Sequence, residues 1–295
     1  MSAVFTSNPP PKNPAPSRAT YARNYDTPPQ LTEGAVQTWL TRGANFLVAV
    51  SKVNAGDVLK RDANADEYFV FTPDCAAEIE AGIERLDAAA ETLSIVPPGA
   101  STVTARGTGL IVRVFTTRAE DLLAKAVNAA TYADGAPDCA PLVDWPEPTD
   151  GYHLRNYVLS EYAKEDSNMR VFRSRGLMVN VLAKREVASD VRKLSPHQHA
   201  DFEQGSLAVS GTYVHHLRFP WGPDMNGWRD DEHAEIGSPS LTVIPPKVIH
   251  TSRNIGDKTG WLIDIFSPPR MDFSLKPGMV CNAEQYPMPP VPAKA

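Results

Sequence analysis

The chain reads as mainly all-β: two β-barrels joined by a helical connector and flanked by extended terminal arms. Three observations predict this. From Phe46 onward, short β-branched or aromatic segments (FLVAV, GDVLKR, EYFVFTP, TLSIVPPG, TVTARG, GLIVRVFTT) are separated by Gly, Pro, Asn or Asp. Their spacing of roughly 8–12 residues belongs to a sandwich or barrel, not to alternating βαβ units. At 295 residues the chain exceeds one small barrel and can form two domains, each burying a core. A low-contrast repeat also sets Val96-Pro97-Pro98-Gly99 against Ile244-Pro245-Pro246-Lys247, and Asp66-Glu67-Tyr68-Phe69 against Asp201-Phe202-Glu203.

In chain order, residues 1–30 are proline-rich and polar, with Pro9-Pro10-Pro11, and form an extended arm with no core of its own. Residues 31–133 make the first barrel and a helix behind it. Thr117-Arg118-Ala119-Glu120 has capping-box spacing, and Leu122, Leu123, Ala126, Val127 and Ala130 recur at helical intervals. The Pro-, Asp- and Gly-rich stretch within residues 134–151 is the linker. The second barrel spans 152–270, and 271–295 is a second extended tail. Arms at both ends suggest an intimate homodimer.

Composition narrows the function. With 42% hydrophobic and 22% charged residues, this is the composition of a soluble globular chain, and no apolar run approaches a bilayer span. The N-terminus lacks the basic-then-apolar order of a secretory signal, which makes a cytoplasmic location the expectation. Cys75, Cys139 and Cys281 are odd in number and far apart, the pattern of free thiols rather than of a disulfide framework. A net charge of −6 without a Lys/Arg cluster argues against nucleic acid and for a small-molecule partner.

The chemistry is concentrated in His197-Gln198-His199, Glu203 and His250. On a continuous strand, His197, His199 and Glu203 fall on one side at i, i+2 and i+6. His250 follows Pro245-Pro246, in a stretch that reads as a turn entering a strand. Three imidazoles and a carboxylate suit one divalent ion, Fe(II), Mn, Ni, Cu or Zn, with positions left open for substrate or water.

Residues Pro196 to Gly211 (PHQHADFEQGSLAVSG) resemble the first cupin motif: His-x-His, three or four residues, Glu, then Gly. Pro245, Lys247, His250 and Asn254 resemble the second, Pro-x-Gly-x-x-His-x-x-x-Asn, with Lys247 where the motif has Gly. WLIDIFSPP, from Trp261 to Pro269, resembles the strand that follows it. The resemblance implies two cupin-type barrels of double-stranded β-helix (jelly-roll) form, with His197, His199, Glu203 and His250 as ligands of one metal in the C-terminal barrel. The first half has no histidine before His153, so it is expected to be a degenerate barrel in which Glu67 is a hydrogen-bonded strand residue.

Further candidates surround this set. Glu203, Asp264 and one of the adjacent pair His215-His216, taken as His215, are candidate catalytic groups; Asp264 is an acid in an apolar strand, suited to act as a base or to accept from a ligand imidazole. The spacer from Phe219 to Gly237 carries Trp221 and Trp228 and reads as a lid over a planar substrate, with Arg218 and Arg253 gripping a carboxylate or phenolate. The first functional expectation is an Fe(II)-dependent dioxygenase that binds O₂ and a small phenolic or enediol-type substrate, in keeping with ring-cleaving bicupins. The alternatives are a metal-dependent isomerase, decarboxylase or lyase acting on a sugar acid or oxalate-like substrate, and a non-enzymatic binding cupin.

Overall fold

The computed structural model describes residues 17–256 and 258–290. Residues 1–16 of the expected arm, including Pro9-Pro10-Pro11, and 291–295 of the tail lie outside the described residues. The first half forms β1 (Thr20–Ala22), β2 (Leu31–Glu33), β3 (Val36–Arg42), β4 (Phe46–Val53), β5 (Val58–Arg61) and β6 (Tyr68–Thr72). It continues with β7 (Ala77–Ala81), β8 (Glu84–Ala88), β9 (Thr92–Val96), β10 (Ser101–Ala105) and β11 (Gly109–Thr116). Beyond helix α1 (Glu120–Leu123) come β12 (Arg155–Val158), β13 (Val171–Arg173), β14 (Met178–Val181), β15 (Gln204–Ser210) and β16 (Tyr213–Arg218). The remaining elements are β17 (Glu232–Ile236), β18 (Ser240–Ile244), β19 (Ile249–Asn254), β20 (Trp261–Phe266) and α2 (Met271–Ser274).

A seven-stranded sheet, β12-β9-β6-β11-β4-β3-β2, faces a four-stranded one, β5-β10-β7-β8, to make the first barrel. A six-stranded sheet, β1-β18-β15-β20-β14-β13, faces a three-stranded one, β17-β16-β19, to make the second. Strand alternation divides the side chains between two destinations. Phe46, Val48 and Val50 of β4 join Leu207, Leu241 and Ile263 of the other half in one core between the large sheets. Leu47 and Ala49 turn the other way, with Ile79 and Val103, and fill the first barrel's interior.

The halves exchange strands. β1 pairs with β18 in the second barrel (Thr20↔Val243), and β12, beyond the linker, pairs with β9 in the first (Arg155↔Ile95). Part of the expected arm is therefore an edge strand, and the chain re-crosses the first barrel after Tyr152. The expected helix after β11 is one short turn, followed by a 3-10 turn at Ala129–Tyr132, and Ala119 rather than Thr117 stands at its N-cap with no side-chain bond. The reason is competition for the backbone: Val127 N–H donates to Leu40 C=O, and the Asn128 side chain bridges the N–H and C=O of Arg42, at 3.0 and 2.8 Å. Cys75 is a buried free thiol, and Cys139 and Cys281 are half-buried free thiols. Among the described residues no helix is long and apolar enough to cross a membrane.

Candidate metal centre

The two motifs meet through the backbone. His197 and His250 form an antiparallel bridge, with His197 N–H donating to His250 C=O and the reverse, at 3.0 and 2.8 Å. Lys247 N–H donates to His199 C=O at 2.6 Å. Lys247 takes φ of 65°, the left-handed conformation that the usual glycine supplies without steric cost, so the turn survives the substitution.

As a result, one ring nitrogen from each of His197, His199 and His250 lies within 4.8 Å of the others. The Nδ1–H groups of His197 and His250 are committed to the carbonyls of Ser195 and Val248, each at 2.9 Å, which leaves Nε2 as the free donor. Burial pushes the pKa of His199 down to about 3 and that of His250 to about 4, so both rings are neutral near pH 7. His199 also stacks on Phe202, with ring centroids 4.5 Å apart. Neutral, oriented, convergent imidazoles fit a divalent transition metal.

Gln204 completes the ring. Its Oε1 is 2.9 Å from His199 Nε2 and 3.3 Å from His250 Nε2, and its amide nitrogen donates to Ser206 Oγ (2.9 Å) and Asp264 Oδ1 (3.0 Å). Gln204, Ser206 and Asp264 share the inner face because β15 pairs with β20 in the register Ser206↔Asp264. Burial raises the Asp264 carboxyl to about 6 against the opposing pull of His197, Ser206 and Asn180. Gln204 and Asp264, with His197 and His250, line a cavity of about 400 Å³. Arg270 is on the same wall, buried over the Phe273 ring at 3.6 Å and paired with Asp272 at 2.7 Å; its Nη1 makes no hydrogen bond among the described residues.

Several candidate residues lie elsewhere. Glu203 is not in the cluster. Its carboxylate is buried between the barrels, where it accepts from Ala44 N–H at 2.6 Å and from the Tyr132 hydroxyl at 3.1 Å. The chain bends at Ala200–Asp201 and β15 begins only at Gln204, so the parity assumed from a continuous strand is broken and the next residue faces inward. His215 is fully buried, with Nδ1 2.7 Å from Ser252 Oγ and Nε2 without a hydrogen-bond partner among the described residues; it packs behind His250 and does not line the cavity.

Arg218, Trp221, Trp228 and Arg253 are likewise away from the centre. Leu217↔His250 is the inward pair of β16 and β19, so Arg218 and Arg253 project from the outer face. There Arg218 pairs with Asp231 and Arg253 donates to His216. Trp221 and Trp228 stack on each other at 4.3 Å, in a groove that, among the described residues, shares no lining residue with the cavity beside the histidines. The residues missed from sequence are Gln204 and Arg270. Gln204 was accessible through the four-residue version of the motif's spacing, whereas Arg270 had only its place just past a barrel strand as a signal.

No protein-family model and no curated protein matches the chain. Solved structures do. A variant of Bacillus subtilis oxalate decarboxylase aligns with a TM-score of 0.59 and 14% identity, over 93% of this chain and 86% of that one. Oxalate decarboxylase from Lactobacillus farciminis, in complex with formate, aligns at 0.55 and 13%, over 85% and 86%. AerE from Microcystis aeruginosa aligns at 0.50 and 9%, over 80% and 94%. At these identities the likeness is one of fold, and that fold is the all-β cupin jelly roll.

Proposed function

We propose that this chain is a metal-dependent enzyme that binds a small oxygen-donor substrate in the second barrel and carries out proton-transfer chemistry on it, in the isomerase, lyase or decarboxylase class. The observation that carries the reading is that the Asp264 carboxyl and the Arg270 guanidinium share one cavity with His197 and His250, two of the three convergent imidazoles. When bound by His197, His199 and His250, a divalent ion supplies Lewis acidity to a coordinated substrate oxygen. Arg270, its Nη1 uncommitted, binds a substrate carboxylate. Asp264 is the carboxyl placed to hold or deliver a proton beside that substrate. Phe202, Phe266 and Phe273 pack around Arg270 and limit access of water. The similarity to oxalate decarboxylases, of which the Bacillus subtilis protein has Mn(II) centres, supports Mn(II) as a candidate beside Fe(II).

The Fe(II)-dependent dioxygenase is the second reading. Three imidazoles leave positions for both O₂ and substrate, which favours it. The aromatic pair that pointed to a phenolic substrate is on the outer face, which places it second. One experiment separates them. Protein loaded anaerobically with Mn(II) or Fe(II) is assayed with uronates, oxalate, catechols, hydroquinones and flavonols, following O₂ and product. O₂-independent turnover that is lost in Asp264→Asn is expected, whereas stoichiometric O₂ uptake with iron puts the dioxygenase first. Ligand binding without turnover leaves a binding protein.

A further inference from the structure

We infer that the amide oxygen of Gln204 is the fourth protein donor of the centre, which makes the shell electrically neutral and selects a dianionic, chelating ligand. This rests on the metal reading above and adds to it. Two donors at roughly 2.0–2.2 Å from one ion and at right angles to each other sit about 3 Å apart. Gln204 Oε1 meets that condition twice, at 2.9 Å from His199 Nε2 and 3.3 Å from His250 Nε2.

The amide cannot be turned round. Its NH₂ group has two acceptors, Ser206 Oγ at 2.9 Å and Asp264 Oδ1 at 3.0 Å, and a flip would break both bonds. His250 Nε2 and Gln204 Oε1 thus both present lone pairs, because the His250 proton is on Nδ1 against Val248 C=O at 2.9 Å. Facing acceptors in a buried site repel unless a cation lies between them. The carboxylate that could have served, Glu203, is held 2.6 Å from Ala44 N–H on the far side of the bend.

The consequence is electrostatic. Three imidazoles and an amide bring no charge, so a divalent ion keeps its full +2 in a partly desolvated barrel. The cavity wall compensates little: Asp264 and Asp272 are offset by Arg185, Arg270 and Lys276. The missing charge must arrive with the ligand. A compound with two anionic oxygens that closes a chelate ring, and a carboxylate within reach of Arg270, satisfies the ion and the wall together.

The test uses the full chain loaded with Mn(II), with metal affinity read by calorimetry and ligand binding read by the Mn(II) paramagnetic resonance signal. The probes are oxalate, glycolate and 1,2-ethanediol, which carry two, one and no negative charges. Wild type is expected to bind oxalate at least about tenfold tighter than glycolate and to ignore the diol. Gln204→Glu is expected to bind Mn(II) about tenfold tighter or more and oxalate correspondingly weaker, and Gln204→Ala to bind Mn(II) about tenfold weaker or more. Glu203→Gln leaves both affinities as in wild type. Should Gln204→Glu fail to fold beside Asp264, Gln204→Asn and Gln204→Ala, checked by circular dichroism, carry the same test. Wild-type metal affinity in the Gln204 variants, or equal binding of oxalate and glycolate, overturns the inference. A wild-type chain that binds no divalent metal overturns instead the reading on which it rests.

Discussion

The two barrels are built on one frame and diverge inside it. Glu67, just before β6, and Glu203, just before β15, are both buried. Each accepts an N–H from the opposite half, Arg175 at 3.4 Å and Ala44 at 2.6 Å, and each is capped by a tyrosine hydroxyl, Tyr286 at 2.6 Å and Tyr132 at 3.1 Å. Gly99 and Lys247, both at positive φ, donate their N–H groups to Asn64 C=O and His199 C=O. The registers Val70↔Arg113 and Ser206↔Asp264 then equate the inward positions. Tyr68 stands where Gln204 does, Arg113 where Asp264 does, and Phe115 where Phe266 does.

In the first barrel these residues close the interior. Tyr68 stacks on Phe115 at 4.7 Å and bonds Ser101 at 2.9 Å, with Arg113 buried beside them. In the second barrel they leave a polar cavity of about 400 Å³. The difference teaches that frame and interior separate here: the glutamates buried between the barrels recur as part of the shared frame, and a few inward positions decide whether a barrel is a packed core or holds a polar cavity.

The strongest way to break this comparison is at the ligands. Removing His250 as Ala should lower metal affinity by more than the ~10–100-fold typical of groups behind a ligand, while the chain stays folded on its inter-barrel core. Elemental analysis should find about one tightly held metal per wild-type chain and none in the variant. Two equivalents would mean that the first barrel also holds metal.

Next is the plug. Tyr68→Ala should cost about 3–5 kcal/mol in thermal or denaturant unfolding, as for large aromatic truncations in a packed core, with metal content unchanged. A loss below about 1 kcal/mol would show that the first barrel's interior is not the close-packed region described. A third pair sharpens the equivalence of Arg113 and Asp264. Asp264→Asn should weaken metal binding by about 10–100-fold, because Asp264 sets the Gln204 amide. Arg113→Met should be neutral or stabilising by about 1–4 kcal/mol, because Arg113 Nε is buried with no hydrogen-bond partner among the described residues.

A smaller effect concerns pH. Burial raises the Glu67 pKa above its ordinary value. Its contribution to stability is therefore complete below the unfolded carboxylate pKa, about 4.3, and is lost as pH rises through the higher folded value. Glu67→Gln should flatten melting temperature against pH over this window and raise it at pH 8; an unchanged profile would remove Glu67 as the titrating group. Smallest of all, Trp221→Ala should leave metal content and oxalate binding within about twofold of wild type, because the Trp221–Trp228 stack is on the outer face. A tenfold loss of binding would restore the lid expected from the sequence.

The barrels, the two motifs and the three imidazoles were legible in the amino-acid sequence because they rest on local signals. Period-2 alternation, turn residues and the His-x-His spacing are all read within a few residues of each other. The absence of histidine before His153 likewise marked the first barrel as the one without an imidazole site. What the sequence left open depended on pairing over long separations. β1 and β12 change barrels by pairing at the edges of sheets of the opposite half, which no local pattern records. Only the fold showed that the tryptophan spacer leaves from the outer end of β16. The choice between Glu203 and Gln204 turned on a single bend, at Ala200–Asp201. In a strand one residue of offset exchanges inside for outside, and that offset is set by the hydrogen bonds that begin β15 rather than by the residues alone.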